Sequence, residues 1–270
     1  VHRLIAQLLR QMPPNLHLVI LTRHDPPLGL ARLRAHGDVL DLRAHDMAFS
    51  CDEAALLLDS ILGESLDPEI VQVLWEQTEG WLVGLRLAAL SLQTAADPAR
   101  FLADFRHHGS RHIADYLMDE VLRGQPAAVE DFLLRTSILD RLHGPLCAAV
   151  MGIDGPSGQA LLEQVVAHNL LVTPLDDYRG WYRYHGQFQT LLRHRLPGRC
   201  SDQDIAALHR RAADWLTGHA RIDQALPHYL VAGDAARAAR LVEAQAPHLE
   251  HWQQWGQLAQ WLTLLPAEMV

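Results

Sequence analysis

From Ser50 onward, helix start and stop signals follow one another almost without a gap, and only one short stretch interrupts them. Such a chain folds as a mainly α protein carrying a single β-hairpin. Ser50-Cys51-Asp52-Glu53 has the form of a capping box, with Ser50 as N-cap and Glu53 three residues on. Leu56, Leu57, Ile61 and Leu62 supply that helix with an apolar face, and Gly63 ends it. Asp67-Pro68 starts a second helix through Glu76, and Gly80 leads into a third, Trp81 to Leu92. Three short helices with brief links predict a small bundle. After a polar transition, Asp97 to Gly109, helices are predicted at Ile113 to Leu122, Pro126 to Thr136, Gly144 to Met151 and Gly158 to Asn169. The exception follows. Leu170 to Leu175, the turn Asp176-Asp177-Tyr178-Arg179-Gly180, and Trp181 to His185 read as a hairpin, closed by a helix over Phe188 to Leu196. Helices followed by a hairpin wing are the order of a winged helix.

Pro197-Gly198 is a natural boundary. Beyond it, helices are predicted at Asp202 to Gly218, Asp223 to Ala232, Ala235 to Ala246 and roughly His251 to Leu264. Breaks at Gly233-Asp234 and Pro247 divide them into pairs, as in a TPR-like solenoid. Two repeats fall short of the about three needed for stable stacking, so the array is expected to continue past Val270. The first 48 residues differ in kind. After a helical end, Ile5 to Gln11, and a Pro13-Pro14-Asn15 break, Leu16 to Thr22 is a β-branched apolar run, as expected of a buried parallel strand. A second strand is expected at Val39 to Leu42. With its neighbouring strands largely missing, the first would expose an apolar edge.

Composition excludes one chemistry outright. All 23 basic residues are arginine, and no lysine occurs anywhere in the 270 residues. A phosphate loop of the form GxxxxGK[ST] needs its lysine against the β- and γ-phosphates and its glycines to cradle the anion, so this chain has none of its own. A net charge of −9 repels nucleic acid unless a local basic patch overrides it. Three scattered cysteines, Cys51, Cys147 and Cys200, argue for a reducing compartment and against a zinc site. No window reaches the about eighteen uncharged apolar residues of a membrane span, and the N-terminus is not a signal peptide. A cytoplasmic chain, taken from the middle of a larger polypeptide, is expected.

Several motifs in order carry a more specific resemblance. PPNLHLVILTRHDPPLGLARLRAHGDVLDLRAHDMAFSCDEAALLL, then TEGWLVGLRLAALSL, FLLRTSILDRLHGPLCAAV, HNLLVTPLDDYRGWYRYHGQFQTLLRHRL and HRRAADWLTGHARIDQALPHYLVAGDAARAARLV together resemble the MalT-like ATPases. These are large LuxR-type transcription regulators of the STAND class. The resemblance implies four segments: residues 1–48, the C-terminal remnant of an α/β nucleotide-binding domain; 49–108, a helical lid; 109–197, a winged helix; and 198–270, the start of a helical sensor arm. It places the phosphate loop and its acidic partner upstream of Val1, and a DNA-binding module beyond Val270.

The resemblance also carries residue roles. Thr22-Arg23 matches the strand-end motif whose arginine senses the terminal phosphate of a bound nucleotide. A strand's carboxyl end is where α/β sheets bind ligands, and arginine presents a fixed fork to phosphate oxygens. A surface arginine pairing with Asp25 is the plainer alternative. Gly80-Trp81-Leu82 resembles the Gly-x-Pro lid motif that packs over adenine and ribose. With Leu82 in the proline position, packing of the lid is expected rather than contact with the base; alternatively Gly80 is a tight helix start and Trp81 core. His185 matches the winged-helix histidine that contacts the β-phosphate of ADP and locks the closed state. Histidine suits that task because it donates to an anion and can become cationic near neutral pH. The alternative is a strand-end histidine satisfied by backbone. ATP or ADP is thus the ligand of the intact protein, with little or no binding expected by this chain alone.

Other chemistries find less support. His107, His108 and His112 with Asp115 suggest a metal, but Gly109 and Ser110 interrupt the spacing and no HExxH occurs. No GxSxG elbow exists, and Cys147 sits in an apolar helix as an inert thiol. The recognition-helix equivalent, GQALLEQVVAHN, has Glu163 and no cation, so direct DNA contact by this segment is not expected. The reading is therefore a non-catalytic regulatory segment that couples nucleotide state to inducer sensing by the arm and to self-association. A standalone helical adaptor that binds a protein through its groove is the alternative.

Overall fold

The computed structural model describes residues 2–13, 15–22, 25–95, 97–108, 110–168, 170–176, 180–251 and 255–266. They fall into two compact units, residues 1–116 with 165–170, and residues 117–164 with 171–270. The elements are α1 (His2–Arg10), α2 (Leu30–His36), α3 (Cys51–Leu62), α4 (Pro68–Thr78), α5 (Leu82–Gln93), α6 (Pro98–His108), α7 (Arg111–Leu117), α8 (Ala127–Thr136), α9 (Gly144–Met151) and α10 (Gly155–Ala167). After them come β1 (Val172–Pro174), β2 (Tyr182–Tyr184), α11 (Gly186–Arg195), α12 (Asp202–Gly218), α13 (Ile222–Val231), α14 (Ala235–His251) and α15 (Trp255–Leu264). The chain is mainly α. No helix among the described residues is long and apolar enough to cross a membrane.

In the first unit, the two expected strands are not formed. Leu16 to Thr22 and Val39 to Leu42 run as irregular chain, with Val19 82% and Leu21 95% exposed. A strand exists only by pairing its backbone, and no partner ladder is present among the described residues of this region. What organises it instead is an exposed ionic cluster. Asp25 accepts from Arg43 at 2.8 Å, and Arg34 donates to Asp41 at 2.6 Å.

Helices α3, α4, α5 and α6 pack as a bundle. The capping box of α3 is complete: the Ser50 hydroxyl accepts from the Glu53 N–H, and the Glu53 carboxylate accepts from the Ser50 N–H. Ala54 and Leu58 form the buried stripe of α3, whereas Leu56, expected on the apolar face, is 71% exposed. Leu57 and Ile61 flank that stripe, half-buried. Residues 98–108, expected as a polar transition, are helical. Asp97 caps α6 by accepting from the Arg100 N–H, and Phe101 stacks on the buried Phe105 one turn later, with ring centroids 5.4 Å apart.

In the second unit, a π-helical turn (Met118–Leu122) precedes α8, and α8 packs on α9 and α11. The hairpin pairs Val172 with Tyr184 and Pro174 with Tyr182, antiparallel. Its turn residues 177–179 lie outside the described residues. Tyr182 also exchanges two backbone hydrogen bonds with Leu142, at 2.7 and 2.9 Å, so a third short segment joins the wing. Helices α9 and α10 approach so closely that a Cβ on Gly158 would lie 2.5 Å from Ala148 Cβ. The buried Tyr184 hydroxyl bonds Thr136 Oγ1 at 2.7 Å. From α11, Gln189 and Arg193 donate to the carbonyls of Ser137 and Leu139 that follow α8. Beyond the wing, α12 and α13 form a tight helical hairpin, followed by α14 and α15. Helix α14 continues through Pro247, where a break was expected. Proline removes a single backbone donor, and the rest of the ladder carries on to His251.

Candidate functional site

Gly80 and Trp81 form one joint. Glu79 ends α4 in the left-handed region at φ 52°, and Gly80 follows at φ 70°. The Phe49 N–H donates to the Gly80 carbonyl at 2.9 Å, while the Trp75 indole N–H donates to the Phe49 carbonyl at 2.7 Å. A Cβ at position 80 would sit 2.3 Å from that same Phe49 oxygen, so glycine alone fits. Trp81 is the half-buried N-cap of α5, with its ring 5.8 Å from Tyr116. These two residues carry the geometry of a tight helix start, and no sequence pattern marks Phe49 as their anchor.

Thr22 lies at the exposed end of the irregular apolar run, and Arg23 lies outside the described residues. Asp25, the partner proposed for Arg23 in its plainer reading, is engaged by Arg43 and Arg34, chiefly by the Arg43 hydrogen bond, which holds its carboxyl below the usual carboxylate range.

His185 belongs to the second unit. It is the residue that joins β2 to α11, and only 9% of it is exposed. Its backbone N–H donates to the Leu171 carbonyl at 2.8 Å, and its carbonyl accepts from the Gln189 N–H. Leu171 is itself left-handed, at φ 53°. The histidine is thus fixed at the base of the wing by backbone from both flanking elements.

Near the wing stands a cluster that sequence reading missed. Trp181 stacks on His143, with centroids 4.7 Å apart, and the Arg221 guanidinium lies 4.3 Å from the indole centroid. Trp215 and His219 stack at 3.7 Å beside them. Burial first, and then Arg221, holds the His143 pKa down. Also missed was a cleft of about 790 Å³ whose lining includes His209 and His228. Their Nδ1 atoms are 2.8 Å apart. The signal was available: the two residues are placed almost symmetrically about the turn of the α12–α13 hairpin, so antiparallel helices bring them level.

Among the described residues, no three His, Cys, Asp or Glu side chains converge as metal ligands. Cys147 is fully buried in α9 and its thiol is pushed up to about 12, as suits an inert core cysteine. On α10, Gln159 donates to Glu163 at 2.8 Å, and this helix carries no arginine.

Helices α8 to α10, the hairpin with its added Leu142 segment, and α11 make a winged helix, and this module defines the class of the protein. Residues 118–204 match the MalT winged helix domain. Across nearly its whole length, the chain is similar to the HTH-type transcriptional regulator MalT of Klebsiella pneumoniae (strain 342), at 32% identity over 270 residues, 98% of this chain and 29% of that protein. The same regulator of Yersinia pestis (strain Pestoides F) is 33% identical over 98% of this chain and 29% of its own length. The serine/threonine-protein kinase PknK of Mycobacterium tuberculosis (strain ATCC 25618 / H37Rv) is 33% identical over 95% of this chain and 23% of that protein. The chain is a MalT-like segment with a MalT-type winged helix, and it spans less than a third of the length of these relatives.

Proposed function

We propose that this chain is the regulatory segment of an ATP-dependent signal-transduction regulator, and that it couples nucleotide state to effector sensing. The observation that carries the reading is His185. It joins β2 to α11 in a MalT-type winged helix, and the motif resemblance around Tyr184-His185-Gly186 would make it the residue that contacts the β-phosphate of ADP. In the closed state, His185 and Arg23 would touch the phosphates, with Thr22, Gly80 and Trp81 shaping the surface over the nucleotide. Exchange for ATP would release the winged helix, and the arm beginning near residue 198 would bias that exchange through an inducer or partner protein. Coupling requires that the two states differ in affinity for ADP and ATP. Release would permit self-association in the cytoplasm. DNA reading would belong to another part of the polypeptide, since α10 offers no cation to phosphates or guanines. The segment itself would not be catalytic.

Two measurements test this. Calorimetric titration of the 270-residue chain with ADP is expected to show weak binding or none, and micromolar affinity would overturn the division of labour. In a longer polypeptide that joins this segment to its own phosphate loop, His185→Ala is expected to raise basal output. Unchanged output would remove the locking role.

A further inference from the structure

The second unit contains a cleft that the nucleotide reading does not use. Its volume is about 790 Å³, within the range of small-molecule sites. Its walls come from two parts of the unit: the α8–α9 link, α9 and α11 of the winged helix, and α12 and α13 of the helical hairpin that follows. More than half of the lining residues are aliphatic or proline. Leu139, Leu146, Leu196 and Leu216 are each at most 3% exposed and form the floor. Val231, by contrast, is 63% exposed and marks the mouth.

The polar part of the lining leaves no charge waiting for a ligand in the interior. Arg193 on α11 donates to the carbonyls of Ser137 and Ile138 and to Asp140, whose side chain is 88% exposed. Asp223 accepts from Trp261 and Gln257 on α15. His209 and His228 bond one another through Nδ1 at 2.8 Å, which needs one proton between the two facing nitrogens. Burial lowers the pKa of both rings, His209 to about 4, so the pair is neutral near pH 7. Gln224 is uncharged. Arg141 has no ion pair among the described residues, but it is exposed, where a pair with a ligand is worth little. A charged ligand would give up its hydration here and meet no desolvated counter-ion.

We propose that this cleft binds an uncharged, mainly apolar small molecule, held between the winged helix and the α12–α13 hairpin. Transfer of its apolar surface from water onto the aliphatic floor supplies the affinity. Both groups of helices contribute walls, so the occupied cleft holds them together, and a ligand that binds only the folded form stabilises it. The site requires neither nucleotide nor His185. Its failure leaves the ADP reading untouched, and failure of that reading leaves this site in place.

N-phenylnaphthylamine is a suitable probe for the 270-residue chain, since it is uncharged and its fluorescence rises in apolar surroundings. Fluorescence titration at about pH 7 is expected to saturate at one molecule per chain, and the thermal midpoint should rise with probe concentration. Anilinonaphthalene sulfonate has the same ring system plus one negative charge, and should bind at least about tenfold more weakly. Val231→Glu places a charge at the mouth, on a side chain exposed enough to leave folding intact, and should cost about tenfold or more. As a check that needs no variant, the aromatic protons of the bound probe should show NOEs to methyls of Leu139, Leu146 and Ile205 in the unaltered chain. No saturation within the solubility of the probe, equal or tighter binding of the sulfonate, or affinity unchanged by Val231→Glu would each overturn the assignment. So would NOEs confined to the exposed Leu18, Val19 and Leu21 of the first unit.

Discussion

Gly80 shows how a single residue can be constrained twice over. Its φ of 70° disfavours any side chain, and the Phe49 carbonyl fills the space a Cβ would need. Gly80→Ala is therefore expected to cost about 2 kcal/mol or more, read as a lower urea midpoint at unchanged slope. Tyr184 is the counterpart in the winged helix. The Thr136 hydroxyl donates to the Phe132 carbonyl at 2.6 Å, so the Tyr184 hydroxyl donates to Thr136. Tyr184→Phe should cost about 1 kcal/mol by the same assay, and no measurable loss would show that the buried bond contributes nothing net. At this scale the sequence was legible where a local pattern sets the backbone, as for the tight helix start at Gly80. It was silent where the partner is distant in the chain, as Phe49 is from Gly80, because no local pattern records a contact between a linker carbonyl and a helix joint some thirty residues later.

Secondary elements were legible in proportion to how locally they are determined. The capping boxes at Ser50 and Ser201 form as helix chemistry dictates, because both partners lie within four residues. Ser201→Ala should lower stability by about 1 kcal/mol, measured by chemical denaturation. Strands depend on neighbours, so Leu16 to Thr22, with the right residues and no ladder among the described residues, forms no strand, while Leu142 joins the wing without any strand-like run around it. Helix α6 was hidden by its polar surface, although Asp97 and the Phe101–Phe105 pair mark it in retrospect. The histidines add a pH dependence. His143, His209 and His228 all have pKa values lowered in the folded chain, chiefly by burial. The unfolded chain then binds more protons below about pH 6.5, so their contribution is fully present above that value and is lost as pH falls toward the His209 value of about 4. Thermal melts in a buffer free of carboxylates should show a lower midpoint at about pH 5 than at about pH 7, with a shallower pH slope in His209→Asn. A flat profile would contradict the depressed pKa values.

For the whole molecule, net charge and the placement of its cations carry the argument. At −9, with no cation on α10, the chain is expected not to retard duplex DNA at physiological salt, and a salt-sensitive shift in a gel assay would restore the wing as a DNA reader. Mainly α character and the winged helix could be read from the order of elements alone. The candidate site could not. Arg23, Gly80 and His185 look ordinary in isolation, and only the run of motifs around them assigns them a task. The His209–His228 pair is the reverse case: no motif marks it, and geometry alone brings it together.

Trp181 ties two parts of the second unit together mechanically. It is held by Arg221 from the α12–α13 turn and by His143 at the start of α9, and it directly precedes the strand that leads into His185. A displacement of that turn would therefore act on the indole, and through it on β2. Removing the guanidinium, as in Arg221→Ala, is expected to loosen the hold of the α12–α13 turn on the wing.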